Sequence, residues 1–331
     1  MKDLITKFVE CAGPSGYESR IREAIKAEVQ PYASSIATDP LGNLIVTIGK
    51  KSKDGKRIML AAHMDEIGVI VTHVDKKGFA RFSNLGGVFP QNCLAAHVTF
   101  LNGVRGVIGA DRLEDPGKQF SLENFYIDCG ATSREDCPLK VGDVAVFDRP
   151  VIDMGKRLVS KALDNRISCA LLVETIKQIK ETPHELVFVF STQEEVGMRG
   201  VTGSAYSVDP DIALSVDVTS TGDVPTGKME VSLGKGPAVK VKDQGMISDP
   251  RIVDWMVKTA EAAGLPYQLE ILAFGTTDAR AIQLTRGGVP SGCLSIPTRY
   301  IHSPAEMIDM DDVDHSLALL LALLRNPVVI Q

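Results

Sequence analysis

Apolar and polar positions follow two textures along this chain. In residues 2–68, and again from residue 161 onward, apolar residues fall into helical periods and short continuous runs. Between about residues 69 and 159 they form brief alternating runs, such as VIVTHV, AAHVTFL, GVIGA and DVAVF, punctuated by Gly and Pro. The first texture predicts a short amphipathic helix from Lys2 to about Glu10. Gly13-Pro14-Ser15-Gly16 then interrupts the chain, and Ser15 with Glu18 has the spacing of a capping box for a second helix ending near Pro31. Turn residues Asp39 to Asn43 separate Ser35–Thr38 from Leu44–Ile48, which predicts a hairpin. Arg57–Ala62 is a strand that delivers His63.

Beyond Lys161 the pattern predicts helix Asn165–Lys180, strand Leu186–Phe190, strand Ile212–Val218, helix Pro250–Ala263, helix Thr277–Leu284, strand Cys293–Ile296 and helix Val313–Leu324. Alternation with short connections implies an α/β fold with a central mixed sheet flanked by helices. Residues 1–68 and 160–331 would form that domain, and residues 69–159 a small β-barrel-like insertion whose one helical hint is Ser121–Phe125.

Length and composition narrow the partners. A chain of 331 residues with 44% hydrophobic and 24% charged residues builds a substantial core and has room for two domains. A net charge of −6 with no basic face argues against nucleic acid, and no apolar run reaches the roughly 18 residues of a membrane span. Residues 1–19 carry no signal-peptide or transit pattern, and the six cysteines lack CxxC spacing, so they read as reduced cytoplasmic thiols.

The candidate chemistry sits where strands end. Glu194 and Glu195 follow the buried run LVFVF, and adjacent buried carboxylates require a cation or a proton. His63 and Asp65 lie two apart in AAHMDEIG, hence on one face of an extended segment, although a core histidine beside a solvated acid has the same spacing. Asp164 in KALDNR stands before a helix; a helix N-cap is one explanation and a metal-bridging carboxylate another. Asp217 interrupts the apolar strand ALSVDVT, where a buried acid needs an ion or a strong hydrogen-bond partner. His302 follows a strand in TRYIHSPAEM, and a backbone-bonded structural histidine is the alternative there. In FGTTDAR, Thr276 or Thr277 caps the next helix or lines a pocket, whereas His73, His97, His184 and His315 have no carboxylates gathered around them.

Motif for motif, and in the same order, these segments resemble the di-metal aminopeptidases of the glutamyl and deblocking aminopeptidase family, whose best-known members form tetrahedral (TET) particles. The resemblance covers essentially the whole chain, including the β-rich insertion. It implies a zinc-aminopeptidase-like fold and two divalent metal ions per subunit, Zn²⁺ or Co²⁺. His63 and Asp217 would bind one ion, Glu195 and His302 the other, with Asp164 bridging them. Glu194 would be the general base acting on a metal-bridging hydroxide, and Asp65 would orient His63. It further implies a cis Asp164–Asn165 bond, short peptide substrates, and an insertion that pairs subunits into dimers and then a dodecamer. This reading requires Asp164 to lie within a few ångströms of both His63 and His302. Competing readings are a related amidohydrolase (carboxypeptidase or deacylase), a glycoside hydrolase using paired carboxylates, and a non-catalytic metal-binding scaffold.

Overall fold

The computed structural model describes residues 1–113, 115 and 117–328; Glu114, Pro116 and the last three positions of the expected 160–331 segment lie outside it. The run Leu186-Val-Phe-Val-Phe190 becomes the strand Glu185–Ser191, and its period of two explains why it is apolar throughout. Leu186, Phe188 and Phe190 enter one hydrophobic core, while Val187 and Val189 enter another on the opposite face. The strand is therefore sandwiched between two helical layers.

It pairs in parallel with Arg57–His63, which pairs in parallel with Ile212–Ser220, which pairs in parallel with Ser291–Arg299. Antiparallel strands extend both flanks, Leu44–Gly49 and Ser35–Thr38 on one side, and Glu306–Asp309, Arg157–Ser160 and Ile152–Asp153 on the other. Ala238–Lys242 and Gln268–Ile271 pair beside Ser291–Arg299, bringing the sheet to 11 strands. Helices Lys2–Val9, Ser19–Val29, Leu163–Gln178, Pro250–Ala262 and Met310–Arg325 supply the larger core. Arg199–Val208 and Asp278–Gln283 cover the opposite face.

The expected mixed sheet with flanking helices is thus present, and the Gly- and Pro-punctuated texture folds into a closed six-stranded barrel. Its strands are Gly68–Val74, Ala80–Leu85, Phe125–Asp128, Arg105–Ala110, His97–Phe100 and Val144–Phe147. Inward residues such as Val69, Val71, Phe82, Phe100, Ile108, Ile127 and Phe147 give the barrel its own core. Closure removes the free edges that six short strands would otherwise expose.

Two local expectations fail. The helical hint at Ser121–Phe125 is a single 3-10 turn, Leu122–Asn124, after which Phe125 enters a strand. The capping box does not form. The second helix begins at Ser19 with Glu18 at its N-cap and no side-chain cap bond. Ser15 and Glu18 are buried and bond elsewhere, because the region around Asp65 and Gln193 offers them partners that exclude water.

Candidate metal centre

Strand parity places the first two candidate ligands on one face. In Arg57–His63 the even positions Ile58, Leu60 and Ala62 join the larger core, so His63 faces the other way with Met59 and Ala61. In Ile212–Ser220, Leu214, Val216 and Val218 do the same, which turns Asp217 to the face of His63. Ser215 pairs with Ala61, and the two side chains stand two residues beyond that pair on each strand. His63 Nε2 lies 3.8 Å from Asp217 Oδ1.

Asp164 completes that group and opens a second one. Its Oδ1 is 3.1 Å from His63 Nε2 and its Oδ2 is 3.3 Å from His302 Nε2. His302 Nε2 is in turn 3.2 Å from Glu195 Oε1. Two ligand-type clusters result, His63–Asp164–Asp217 and Asp164–Glu195–His302, with the donor atoms of each within 4.8 Å of one another and Asp164 common to both. Asp164 caps no helix. Its backbone (φ −74°, ψ 104°) is non-helical, its peptide bond to Asn165 is cis, and its amide donates to Glu306 Oε2 at 2.9 Å.

The electrostatics describe a site with too many acids. Asp65, Asp164, Glu194, Glu195 and Asp217 share it with only two imidazoles. Burial raises the Glu194 carboxyl well above its usual range, and the charges of Asp278, Asp217 and Glu195 add to this against the pull of His63. Burial likewise raises Asp217, with Asp164 adding to it. Burial also disfavours a charged His302, yet Glu195 and Asp164 carry that imidazole up to about 12. Each of these groups is pushed toward its protonated form by its neighbours, a crowding of negative charge that divalent cations relieve in a donor set of imidazole nitrogens and carboxylate oxygens. The residues fit such ions by type and by spacing.

Asp65 contacts more than His63. The imidazole Nδ1 is closer to the Asp65 backbone carbonyl (3.1 Å) than to its carboxylate (3.4 Å). The carboxylate accepts the amides of Glu194 and Glu195 at 3.0 and 3.2 Å and the Ser15 hydroxyl at 2.6 Å. Glu306, inside the quoted TRYIHSPAEM stretch but not singled out there, also accepts the His302 amide at 2.9 Å. Its signal was an acid beside a ligand-type histidine, four residues on. Gly87, on the loop after the barrel strand Ala80–Leu85, packs so closely that a Cβ there would fall on His302 Nδ1. Thr277 does cap its helix, receiving the Ala279 amide, and with Thr276 it also lines the cavity.

That cavity, about 470 Å³, is lined by His63, Asp164, Glu194, Glu195, Asp217 and His302 at one end. Phe89, Leu272, Phe274, Ile301 and Lys240 are among the residues forming the rest. A larger hollow of about 600 Å³ beside Arg149 and Tyr300 is lined by neither of the two ligand-type clusters found among the described residues.

Comparison with known proteins converges on one family. The family model described as M42 glutamyl aminopeptidase matches residues 42–319. A putative aminopeptidase of Acetivibrio thermocellus is 48% identical over 323 residues, covering 97% of each chain. The structure of an aminopeptidase from the archaeon Desulfurococcus kamchatkensis superposes with a TM-score of 0.93 at 36% identity, covering 98% of this chain and 94% of that one. The Pyrococcus horikoshii TET1 peptidase, described as able to assemble into a tetrahedron or a large octahedral shell, gives 0.89 at 32% identity and 98% coverage of each chain.

Proposed function

The chain belongs to the M42 glutamyl aminopeptidase family, and from that premise we propose that it removes N-terminal residues from short peptides at a two-metal centre. His63 and Asp217 would hold one ion, Glu195 and His302 the other, and Asp164 both. The observation that carries this assignment is the position of Asp164, whose two oxygens face two different imidazoles at 3.1 and 3.3 Å. A carboxylate placed so can serve two ions a few ångströms apart, and imidazole–carboxylate donors suit Zn²⁺ or Co²⁺. Bound there, such ions would supply Lewis acidity toward the scissile carbonyl and acidify water.

The protein's own groups do the rest. Glu194 is half-buried, lies in the same cavity and belongs to neither ligand cluster, so its carboxylate is free to take a proton from the attacking water. The same group returns that proton to the leaving amine, which lets the peptide bond break without expelling an amide anion. The carboxylates at that end favour the cationic α-amino terminus of a peptide, and Phe89, Leu272, Phe274 and Ile301 offer apolar surface to the first side chain.

Segments 1–68 and 160–331 would form the peptidase unit, and 69–159 would pair subunits through the barrel. Assembly into a dodecamer, by analogy with the TET1 peptidase, would restrict entry to short peptides. None of the helices among the described residues is long and apolar enough to cross a membrane. We take the enzyme to work in the cytoplasm, where its thiols stay reduced.

The test is a panel of aminoacyl chromogenic substrates assayed after chelation and after separate return of Zn²⁺, Co²⁺ and Mn²⁺, alongside Glu194→Ala. Chelation is expected to abolish turnover and Zn²⁺ or Co²⁺ to restore it. Glu194→Ala is expected to retain its metal while losing at least about a hundredfold in kcat. Normal turnover by metal-loaded Glu194→Ala removes Glu194 from the role of base.

A further inference from the structure

Backbone amides in a loop between a strand and a helix usually face water or one another. Those of residues 192–195 do neither. The Thr192 amide donates to Asn43 Oδ1 at 2.8 Å, Gln193 to Glu18 Oε1 at 3.0 Å, Glu194 to Asp65 Oδ1 at 3.0 Å and Glu195 to Asp65 Oδ2 at 3.2 Å. Four consecutive donors are received by side chains from three distant parts of the chain. Gln193 meanwhile adopts φ +56°, a left-handed conformation that a non-glycine residue keeps only where its surroundings enforce it.

Two of the groups responsible come from the loop before the second helix. Ser15 donates its hydroxyl to Asp65 Oδ2 at 2.6 Å, which fixes the carboxylate that receives Glu194 and Glu195. Glu18 Oε1 accepts both the Gly16 amide at 2.7 Å and the Gln193 amide. The loop itself is clamped. Gly13 and Glu66 exchange bonds, amide to carboxylate at 3.0 Å and amide to carbonyl at 3.1 Å, and Arg166 donates to the Gly13 carbonyl at 3.3 Å. Ser15 and Glu18 are about 5% and 4% exposed, and neither lines the cavity, so they do not touch substrate. Both lie ahead of residue 42, where the family match begins.

Resting on Glu194 as the proton-carrying group, we infer that Glu18 and Ser15 are positioning residues. Through the Gln193 amide and through Asp65 they hold the 192–195 backbone in the one conformation that aims the Glu194 carboxylate into the cavity. Removing the Glu18 acceptor leaves a half-buried amide without its protein partner and releases Gln193 from its left-handed state. Glu194 then samples other directions. Substrate contacts in the cavity are untouched, so the loss falls on kcat and not on KM.

The test uses the full chain carrying Glu18→Ala, Glu18→Gln, Ser15→Ala or Glu194→Gln, with two readouts. With metal restored, Glu18→Ala is expected to lower kcat by about ten- to a hundredfold while KM stays within about twofold. Glu18→Gln recovers most of this, because its amide oxygen still accepts from Gln193. In metal-free protein, hydrogen exchange of the peptide spanning 192–195 is expected to accelerate in Glu18→Ala and Ser15→Ala but not in Glu18→Gln. The proposal is overturned if Glu18→Ala keeps its kcat within about twofold, or if its 192–195 amides exchange as in the parent. Should Glu18→Ala fail to fold, Ser15→Ala decides by the same two criteria. An active Glu194→Gln would sink the base assignment instead, and an inactive Glu194→Gln beside a normal Glu18→Ala sinks only the positioning role.

Discussion

Lys240 and Glu270 form an ion pair with no solvent exposure on either side chain, Nζ to Oε1 at 2.5 Å. Thr219 donates to the same carboxylate oxygen at 2.7 Å, and Glu270 Oε2 has no partner among the described residues. Lys240 also forms part of the cavity wall. Replacing it by Met keeps the length of the stem and removes the charge, leaving the buried Glu270 carboxyl with a single hydroxyl for company. Breaking one side of a buried pair costs about 3–5 kcal/mol, although the intact pair is worth little against apolar residues of the same volume. For a chain of this length the unfolding entropy is about 0.7 kcal/mol/K, so Lys240→Met should lower Tm by about 4–7 °C.

Adding Glu270→Gln to that variant removes the stranded carboxyl while its amide oxygen still accepts from Thr219. The double variant should therefore recover most of the loss, a coupling of about 2–4 kcal/mol. Thermal unfolding of the parent, both singles and the double, at matched metal content, closes the cycle. The reasoning fails if Lys240→Met costs under about 1 kcal/mol, or if the two changes add without coupling. Either result means that water reaches Glu270 through the cavity and that the site is wetter than its burial implies.

Two further outcomes follow from particular contacts. Gly87→Ala would push its new methyl into the His302 imidazole, so an ion held by His302, as proposed, should bind at least about tenfold more weakly, read by titration calorimetry on chelated protein; unchanged affinity means that the barrel loop yields at no cost. Burial pushes Asp223 up, but a two-pronged bond from Arg299, 2.7 Å to Oδ2 and 3.1 Å to Oδ1, brings it from 3.8 down to about 2. A depressed carboxyl stabilises the fold above its unfolded pKa and loses that contribution as pH falls through the folded one, here between about pH 4 and 2. Discounted for a carboxylate nearly a quarter exposed, the contribution is about 1 kcal/mol. The stability gap between the parent and Asp223→Asn should accordingly narrow between pH 5 and pH 3 in urea unfolding, and a constant gap refutes the pairing.

The fold was legible where burial is two-sided and periodic. Leu186–Phe190 and Ile212–Val218 reveal themselves because both faces of those strands meet helices, so apolar residues fill them apart from Ser215 and the ligand-type Asp217. The parity that sends Leu214 and Val216 into the larger core turns Asp217 to the opposite, also buried, face beside His63, which is why a lone acid in an apolar strand was informative. Side chains that serve distant backbone left no such trace. Ser15 and Glu18 show the spacing of a helix cap, yet they bond Asp65 and Gln193 across 50 and 175 positions of sequence. Glu306 looks like any acid in a turn until its two oxygens are seen to receive the amides of Asp164 and His302. Local pattern reports what a residue does to its own element. Where a polar group is placed by what it accepts from elsewhere, the sequence carries the acceptor and not the donor, and only the folded chain supplies the match. The groups around the metal centre divide along that line. The acids and histidines that face the cavity were readable beside their apolar runs, whereas Ser15, Glu18 and Glu306, which hold other groups in place, lie in loops or at a strand end where the composition is ordinary.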